Sequence, residues 1–154
     1  MANQAEIGIK ARKDWMGLLA RAPDVALMTL WDGIQDCPSF EWLRRPEVGG
    51  VMVRGRIGGT GALFNLGEMT VTRCSVVLQD GTVGHGYVQG RSKSKAEAAA
   101  LIDAMMQTAA ADDLQTRLLD PLRLQMQSIK TARAAKAAAT KVEFFTLVRG
   151  KTDA

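Results

Sequence analysis

Glu68-Met-Thr-Val-Thr-Arg-Cys-Ser-Val-Val-Leu-Gln-Asp-Gly81 is the segment of the chain that predicts the centre of the fold. Its first twelve residues are rich in β-branched and polar side chains, which is typical of a long strand. Asp80-Gly81 is a strong hairpin signal, so Thr82 to Gln89 is expected to return beside that strand. Val51 to Ile57 partly alternates apolar and polar residues and predicts a further strand. Together these segments predict an antiparallel meander.

Helical patterns flank this sheet-rich middle, which we place at residues 48–90. In residues 5–33, Trp15, Leu18, Leu19 and Ala22 recur on one helical face, and Pro23 separates a second helix from the first. In residues 94–141, Ser94 and Glu97 match a capping box, and Pro121 opens a later helix. Residues 142–148 are β-prone and are expected to add a final strand.

Length and composition indicate one domain spanning residues 1–154. The chain is 47% hydrophobic and 23% charged, which are ordinary values for a soluble protein of 154 residues. We therefore predict an α+β fold, an antiparallel sheet of about four strands flanked by N-terminal and C-terminal helices. Neither a secretory signal nor an apolar stretch of the ~18 residues that span a bilayer is visible. Two cysteines are too few for a secreted disulfide scaffold, so we expect a cytoplasmic protein with no membrane partner.

The positive charge is concentrated towards the C-terminus. Residues 1–90 hold nine basic and nine acidic side chains, whereas the whole chain has a net charge of +4. The predicted helix 122–141 has five cations and no acidic residue. Such a face suits an acidic protein surface, and it leaves open the alternative of a stand-alone module that binds RNA or a nucleotide.

Two segments are candidates for binding an anion. Gly58, Gly59 and Gly61 form a turn whose bare N–H groups could cradle a phosphate, although the turn lacks the remaining residues of a P-loop. Arg91 and Lys93 stand just before a predicted helix, whose N-terminus favours negative charge. A tight structural turn and a solvated helix cap are the alternatives for these two segments.

Three arginines on the predicted strands are also candidates. Arg54 and Arg56 are two residues apart, so they share one face of a strand, and Arg73 lies on the long strand. Arginines on a strand face are costly to bury without a partner, so this face is either wet or meets carboxylates or phosphates. Glu68 is an internal candidate for that role.

The sequence predicts no catalytic residue and no metal site. The single histidine, His85, has no orienting acid or nucleophile beside it in the sequence, and we interpret it as a strand-surface or interface residue. Cys74 lies mid-strand and is expected to be a small core residue. One histidine and two cysteines do not supply a usual zinc ligand set.

Several segments, in order along the chain, resemble one family. They are Arg45-Pro-Glu47, Val53-Arg-Gly-Arg-Ile-Gly-Gly-Thr-Gly61, Phe64-Asn-Leu-Gly-Glu-Met-Thr-Val-Thr-Arg73, Asp80-Gly81, Val88-Gln-Gly-Arg91, Ala96-Glu97, Leu101-Ile-Asp-Ala-Met105 and Val142-Glu-Phe-Phe-Thr-Leu-Val-Arg-Gly150. The chain is similar, from about Trp15 to Gly150, to the PhnG family, the G subunits of the carbon–phosphorus lyase core complex of bacterial phosphonate metabolism.

The resemblance implies a function for the chain within a complex. Family members act with partner subunits H, I and J, and we expect I to be the most direct partner. With an ATP-binding-cassette-like L protein, the complex displaces adenine from MgATP by a phosphonate, which yields a ribose 1-phosphonate 5-triphosphate. The resemblance places the nucleosidase-like chemistry in the I subunit. It therefore implies an accessory chain that binds no cofactor alone, with MgATP as a substrate of the complex and with no nucleic-acid partner.

Overall fold

The structure, a computed structural model, describes residues 4–141. Two helices come first, α1 (Gln4–Arg21) and α2 (Asp24–Asp32). Three strands follow, β1 (Phe40–Arg56), β2 (Leu63–Leu78) and β3 (Val83–Gln89). Helices α3 (Lys93–Met105), α4 (Ala111–Leu114) and α5 (Asp120–Ala139) come last, and the π-helical turn Gln115–Leu119 joins α4 to α5.

The strands form the antiparallel meander that the sequence predicts, in the order β1-β2-β3. The α+β class is thereby confirmed. The estimate of about four strands is slightly too high, because the part of the chain that the structure describes contains three. The predicted strand at 142–148 lies outside the described residues.

β1 begins earlier than predicted, at Phe40 rather than near residue 48. A proline usually argues against a central strand, but Pro46 lies within this one. β1 is at the edge of the sheet, where a residue without an N–H group need not remove a ladder hydrogen bond. Register shifts between Trp42 and Arg44 and between Arg44 and Glu47 show that the strand passes Pro46 through bulges.

Helix α3 packs unusually close to β3 because both surfaces are made of small residues. Gly84 and Gly86 face α3, and a Cβ atom on either would collide with the backbone carbonyl of Ala100 or Ala96. Those two alanines and Ala104 are four residues apart and therefore share one side of the helix. The core lies here, and Val76 and Val88 are completely buried in it.

Helix α3 is capped by a residue other than the predicted one. Its N-cap is Ser92, whose Oγ accepts a hydrogen bond from the backbone N–H of Lys95 at 3.2 Å. The capping box expected at Ser94 and Glu97 is therefore wrong. The helix begins at Lys93, one residue before the predicted start at residue 94.

The far half of the β1–β2 hairpin projects beyond β3. β3 pairs with β2 only from Val71 to Val77, so residues 50–70 form a two-stranded ribbon with no third strand. We call residues 50–70 the arm, and the rest of the described chain the body. No residue of the arm is buried. Within residues 4–141, no helix combines the length and the apolar character needed to cross a bilayer.

Candidate functional site

Arg54 and Arg56 lie on the exposed arm, on one face of β1 as predicted. Across the ladder, Arg54 is paired with Asn65 and Arg56 with Leu63. Arg56 donates from Nη1 to the carbonyl oxygen of Gly61 at 3.1 Å, which ties it to the turn. Glu68 was the internal candidate for pairing, but it lies opposite Met52 and makes no ion pair with either arginine. Both guanidinium groups can therefore reach a carboxylate or phosphate outside the described chain.

The glycine turn at the tip of the arm is built for a tight reversal of the chain. Gly58 and Gly59 have φ angles of 58° and 85°, which favour glycine. The amide of Gly61 donates to the carbonyl of Ile57 at 2.8 Å, and the amide of Thr60 donates to the same oxygen. Because these two amides are already satisfied, the turn is a poorer phosphate cradle than its sequence indicates.

Arg73 lies in the body and belongs to a small surface cluster of charges. Its Nε is 3.9 Å from Oε2 of Glu47, and that carboxylate also accepts from Nη2 of Arg44 at 2.7 Å. All three side chains are about half exposed. Exposed pairs of this kind contribute little to stability, so Arg73 remains accessible for a partner.

The segment before α3 offers fewer free groups to an anion than the sequence predicts. Ser92 uses its Oγ to cap the helix, so one of the free backbone amides is satisfied internally. Lys95 turns inward, is 2% exposed and pairs with Asp24 at 3.1 Å. Arg91 and Lys93 remain exposed at the start of the helix.

The structure separates the candidate residues into two groups. Arg54, Arg56 and the glycines at 58, 59 and 61 lie at the tip of the arm. Arg73, Arg91 and Lys93 lie on the body. Arg56 is paired with Leu63, ten residues before Arg73 along β2, which corresponds to about 33 Å of strand. The described chain therefore does not bring these cations together into one pocket.

A serine lies beside the single histidine, and the sequence pattern alone did not indicate this contact. Oγ of Ser75 is 2.8 Å from Nδ1 of His85, across β2 and β3. The hairpin at Asp80-Gly81 could have predicted this pairing, because residues at equal distances before and after Asp80 become cross-strand partners. Among the described residues no acid orients the imidazole ring, so the pair lacks the third member of a catalytic triad.

Asp103 is the centre of a buried polar network that the sequence also does not reveal. Its carboxylate is fully buried and accepts from Nη2 of Arg12 at 2.7 Å and from Nε1 of Trp15 at 2.9 Å. It also accepts from the backbone N–H of His85 at 2.9 Å. The network joins α1 and α3 to β3, and every donor is part of the scaffold. Its role is therefore to hold the body together.

Neither cysteine is placed to act as a nucleophile. Burial raises the pKa of Cys74 to about 11, and its Sγ contacts the carbonyl oxygen of Ala96 at 3.1 Å. Burial also raises the pKa of Cys37. The thiolate is the reactive form, so a raised pKa lowers the reactive fraction of both thiols at neutral pH. In the described part of the chain, no three acidic, histidine or cysteine side chains are grouped as a metal site would need.

The sheet does not offer the row of stacking aromatic rings that binding of single-stranded RNA usually needs. Phe64 and Tyr87 are exposed, but Tyr87 lies opposite Arg73, nine residues from Phe64 along β2. That separation is about 30 Å of strand. The basic helix α5 is exposed at every residue from Gln127 to Ala139, so its cations and alanines are open to a partner.

Comparison with known proteins gives a family and a relative. The sequence model described as "Phosphonate metabolism protein PhnG" matches residues 10–150 of the chain. A protein of Rhizobium meliloti (strain 1021), the alpha-D-ribose 1-methylphosphonate 5-triphosphate synthase subunit PhnG, is 44% identical over 146 residues. The match covers 95% of this chain and 94% of that protein. Neither match lends support to RNA binding.

Proposed function

The chain belongs to the PhnG family of phosphonate metabolism proteins, and from that membership we propose that it is an accessory subunit of an alpha-D-ribose 1-methylphosphonate 5-triphosphate synthase. The observation that carries the proposal is the 44% identity to the Rhizobium meliloti subunit across nearly the full length of both proteins. Identity at that level and coverage supports a shared role as well as a shared fold.

In this proposal the chain works with partner subunits H, I and J in the cytoplasm, and I is its most direct partner. An ATP-binding-cassette-like L protein joins at the level of the whole complex. The complex takes MgATP and a phosphonate as substrates. A phosphonate oxygen forms a bond to C1′ of the ribose as the bond from C1′ to adenine breaks, and adenine leaves with a proton. The other product is the ribose 1-phosphonate 5-triphosphate.

The geometry supports a role in assembly for this chain, with the catalytic residues of the complex in other subunits. The described residues place no nucleophile, base and orienting acid together, and the candidate cations are divided between arm and body. The apolar surface is instead concentrated on the arm. Of the twelve large hydrophobic residues that are exposed within the described part of the chain, five lie there, Met52, Ile57, Leu63, Phe64 and Leu66. Uncovered apolar surface of this kind is typical of a subunit that is completed by a partner.

The eight candidate residues then serve as contacts to partners or to the triphosphate. Arg54, Arg56, Arg73 and Arg91 are exposed and could each pair with a carboxylate or a phosphate oxygen. Lys93 could add charge beside Arg91, and the turn at Gly58, Gly59 and Gly61 fixes the position of Arg56. No cofactor is assigned to this chain alone.

Reconstitution of the complex tests the proposal. The tagged full chain is co-expressed with candidate H, I and J subunits, and the product is sized. The complex is then incubated with MgATP, methylphosphonate and the L protein, and free adenine is measured. We expect a stable complex that releases adenine only when this chain is present.

The matched control is the same mixture of partners prepared without this chain. Adenine release at an equal rate in that control would remove the proposed role. A chain that stays alone in the presence of all three partners would also refute it. In that case, titration of labelled RNA at two salt concentrations would test the alternative, because phosphate contacts give a steep salt dependence.

A further inference from the structure

The two edges of the sheet differ in whether side chains of the body satisfy their outward backbone groups. On β3 the outer edge is closed by side chains of the body. The backbone N–H of His85 donates to Asp103 at 2.9 Å, and the carbonyl of Val83 accepts from Nε2 of Gln107 at 2.9 Å. Edge strands invite pairing with another chain, and such contacts block it. β3 is therefore unavailable for strand addition at these positions.

The outer edge of β1 has no such protection. Backbone groups in an antiparallel ladder point alternately to the two sides of a strand. The amide of His85 points away from β2, and the carbonyl of Thr70 points towards Gly90 at the end of β3. Thr70 lies opposite Gly50 in the β1–β2 register, so the backbone groups of these two residues point away from each other and the amide of Gly50 points outward. Alternate residues of a strand point the same way, so the amides of Val48, Met52 and Arg54 also point outward. Within the described chain, no strand lies on the outer side of β1, and none of these four amides takes part in a backbone hydrogen bond of a turn, loop or cap.

This edge is long and regular enough to receive another strand. From Glu47 to Arg56, β1 runs for ten residues without a proline. The register shift near Val53 places its extra residue, Leu66, on β2, so β1 itself stays regular there. Pro46 and the bulges before it end the stretch on the body side. The outward-facing positions carry the exposed side chains of Val48, Met52 and Arg54.

We propose that the β1 edge, residues 47–56, pairs with an extended segment of a partner subunit of the synthase complex, a segment with carboxylates beside Arg54 and Arg56. The inference rests on the proposed function for the existence of that partner. Main-chain hydrogen bonds would supply affinity, and the apolar and cationic side chains would supply specificity. The added strand would turn the two-stranded arm into part of a wider sheet, which is the arrangement that makes such ribbons stable.

Charge favours a different partner over a second copy of this chain. The half of the arm from Val53 to Phe64 has two arginines and no acidic residue. Two antiparallel β1 edges could bring Glu47 of one copy opposite Arg56 of the other. That carboxylate already lies 2.7 Å from Arg44 and 3.9 Å from Arg73, so two cations of its own chain share its charge before an arginine of a second copy approaches. A carboxylate from another subunit meets no such competition.

A pair of proline variants tests the edge directly. Met52→Pro removes an outward N–H and leaves the β1–β2 ladder complete, whereas Val51→Pro removes an inward N–H. We expect Met52→Pro to weaken binding of the partner subunits about tenfold or more, with the thermal unfolding of the lone chain nearly unchanged. Val51→Pro should lower the unfolding temperature of the lone chain. Met52→Ala, which keeps the N–H, should bind more tightly than Met52→Pro.

Arg54→Glu provides a second variant that does not disturb the backbone. It places a negative charge where the partner's carboxylates are expected and should weaken assembly about tenfold or more. Lys10→Glu, the same reversal of charge on an exposed residue of α1, is the matched control and should assemble normally. Equal assembly by both variants would contradict the proposed carboxylates of the partner segment.

Hydrogen exchange of the wild-type complex separates this inference from the proposed function. The amides of Val48, Gly50, Met52 and Arg54 should exchange rapidly in the lone chain and slowly in the complex. A complex that forms and releases adenine while these amides stay fast would overturn the edge pairing and leave the proposed function intact. Protection of the same amides in a dimer of the lone chain would assign the edge to a second copy. Absence of any complex would overturn both proposals.

Discussion

β2 passes through two environments that differ sharply although one strand runs through both. From Val71 to Leu78 it lies between two other strands under α3, and five of its eight residues are buried. From Leu63 to Thr70 it has only β1 as a neighbour, and none of its residues is buried. The apolar content is similar in the two halves, with five apolar residues among the eight of the first and four among the eight of the second. The difference arises from what covers them.

That contrast separates the part of the chain that stabilises the fold from the part that is left for contact. A two-stranded ribbon is marginally stable in water, so the arm depends on its continuity with the body. The body obtains its stability from close packing and from the Asp103 network. Changes in the body should therefore act on folding, and changes in the arm that leave the β1–β2 ladder intact should act on association.

Adding one methyl group to a glycine in each region should give the largest contrast. Gly86→Ala places a Cβ against the carbonyl oxygen of Ala96, and we expect the free energy of unfolding to fall by about 3 kcal/mol. Gly67→Ala meets no atom within 4 Å and should leave stability unchanged or raise it by about 0.5 kcal/mol. Urea unfolding of the lone chain measures both. Equal losses would contradict the division into body and arm.

Removing the charge of Asp103 should have the next largest effect. Asp103→Asn leaves Arg12 without its anionic partner, and we expect a loss of about 2 kcal/mol because that arginine is one-third exposed and can reach water. Asp113→Asn breaks an exposed pair with Arg117 and should cost about 0.5 kcal/mol or less. Thermal unfolding of both variants would show whether the buried network stabilises the body as proposed.

A polar residue on the arm should change association more than folding. Leu66 is 66% exposed, so Leu66→Thr should alter the free energy of unfolding by less than about 0.5 kcal/mol. We expect the exposed apolar surface of the arm to let the lone chain self-associate, and the variant should reduce that association because it shrinks this surface. Sedimentation at several concentrations measures the second effect. Val76→Thr, at a fully buried position of the same strand, should instead destabilise the fold.

The turn at the body end of β2 should show the smallest effect, and one that depends on pH. The backbone N–H of Thr82 donates to Asp80, which lowers the pKa of that carboxyl below 3.8. The ionised group therefore stabilises the fold above that pH, and the contribution is lost as the pH falls through the lowered pKa. Asp80→Asn should be slightly less stable than the wild type at pH 7 and equal to it in strong acid. A constant difference across that range would contradict the assignment.

Local signals in the sequence were sufficient for the order of the elements. The hairpin at Asp80-Gly81 fixes the β2–β3 register, and Pro23 divides the first two helices, so the α+β meander follows from short-range patterns. The early start of β1 was not predicted, because the effect of Pro46 on a strand depends on whether that strand is at an edge. Ser94 was misleading because Ser92, two residues earlier, offers the same capping chemistry.

The arrangement of the candidate residues depended on contacts distant in sequence. Asp103 sits in an apolar helical stripe, and nothing near it in the chain indicates Arg12 or Trp15 as its donors. Lys95 belongs to a basic run, yet it pairs with Asp24 across the body. The exposure of Arg54 and Arg56 follows from the short length of β3, which leaves the arm uncovered.

The contact between β3 and α3 also determines which sequence changes this fold can accept during evolution. A side chain at position 84 or 86 would strike the peptide backbone of α3. Substitution of a facing side chain cannot relieve a clash with a carbonyl oxygen, so a compensating mutation would have to move the whole helix. Both glycines should therefore persist among relatives that keep this packing, while the exposed glycines Gly49 and Gly67 drift more freely.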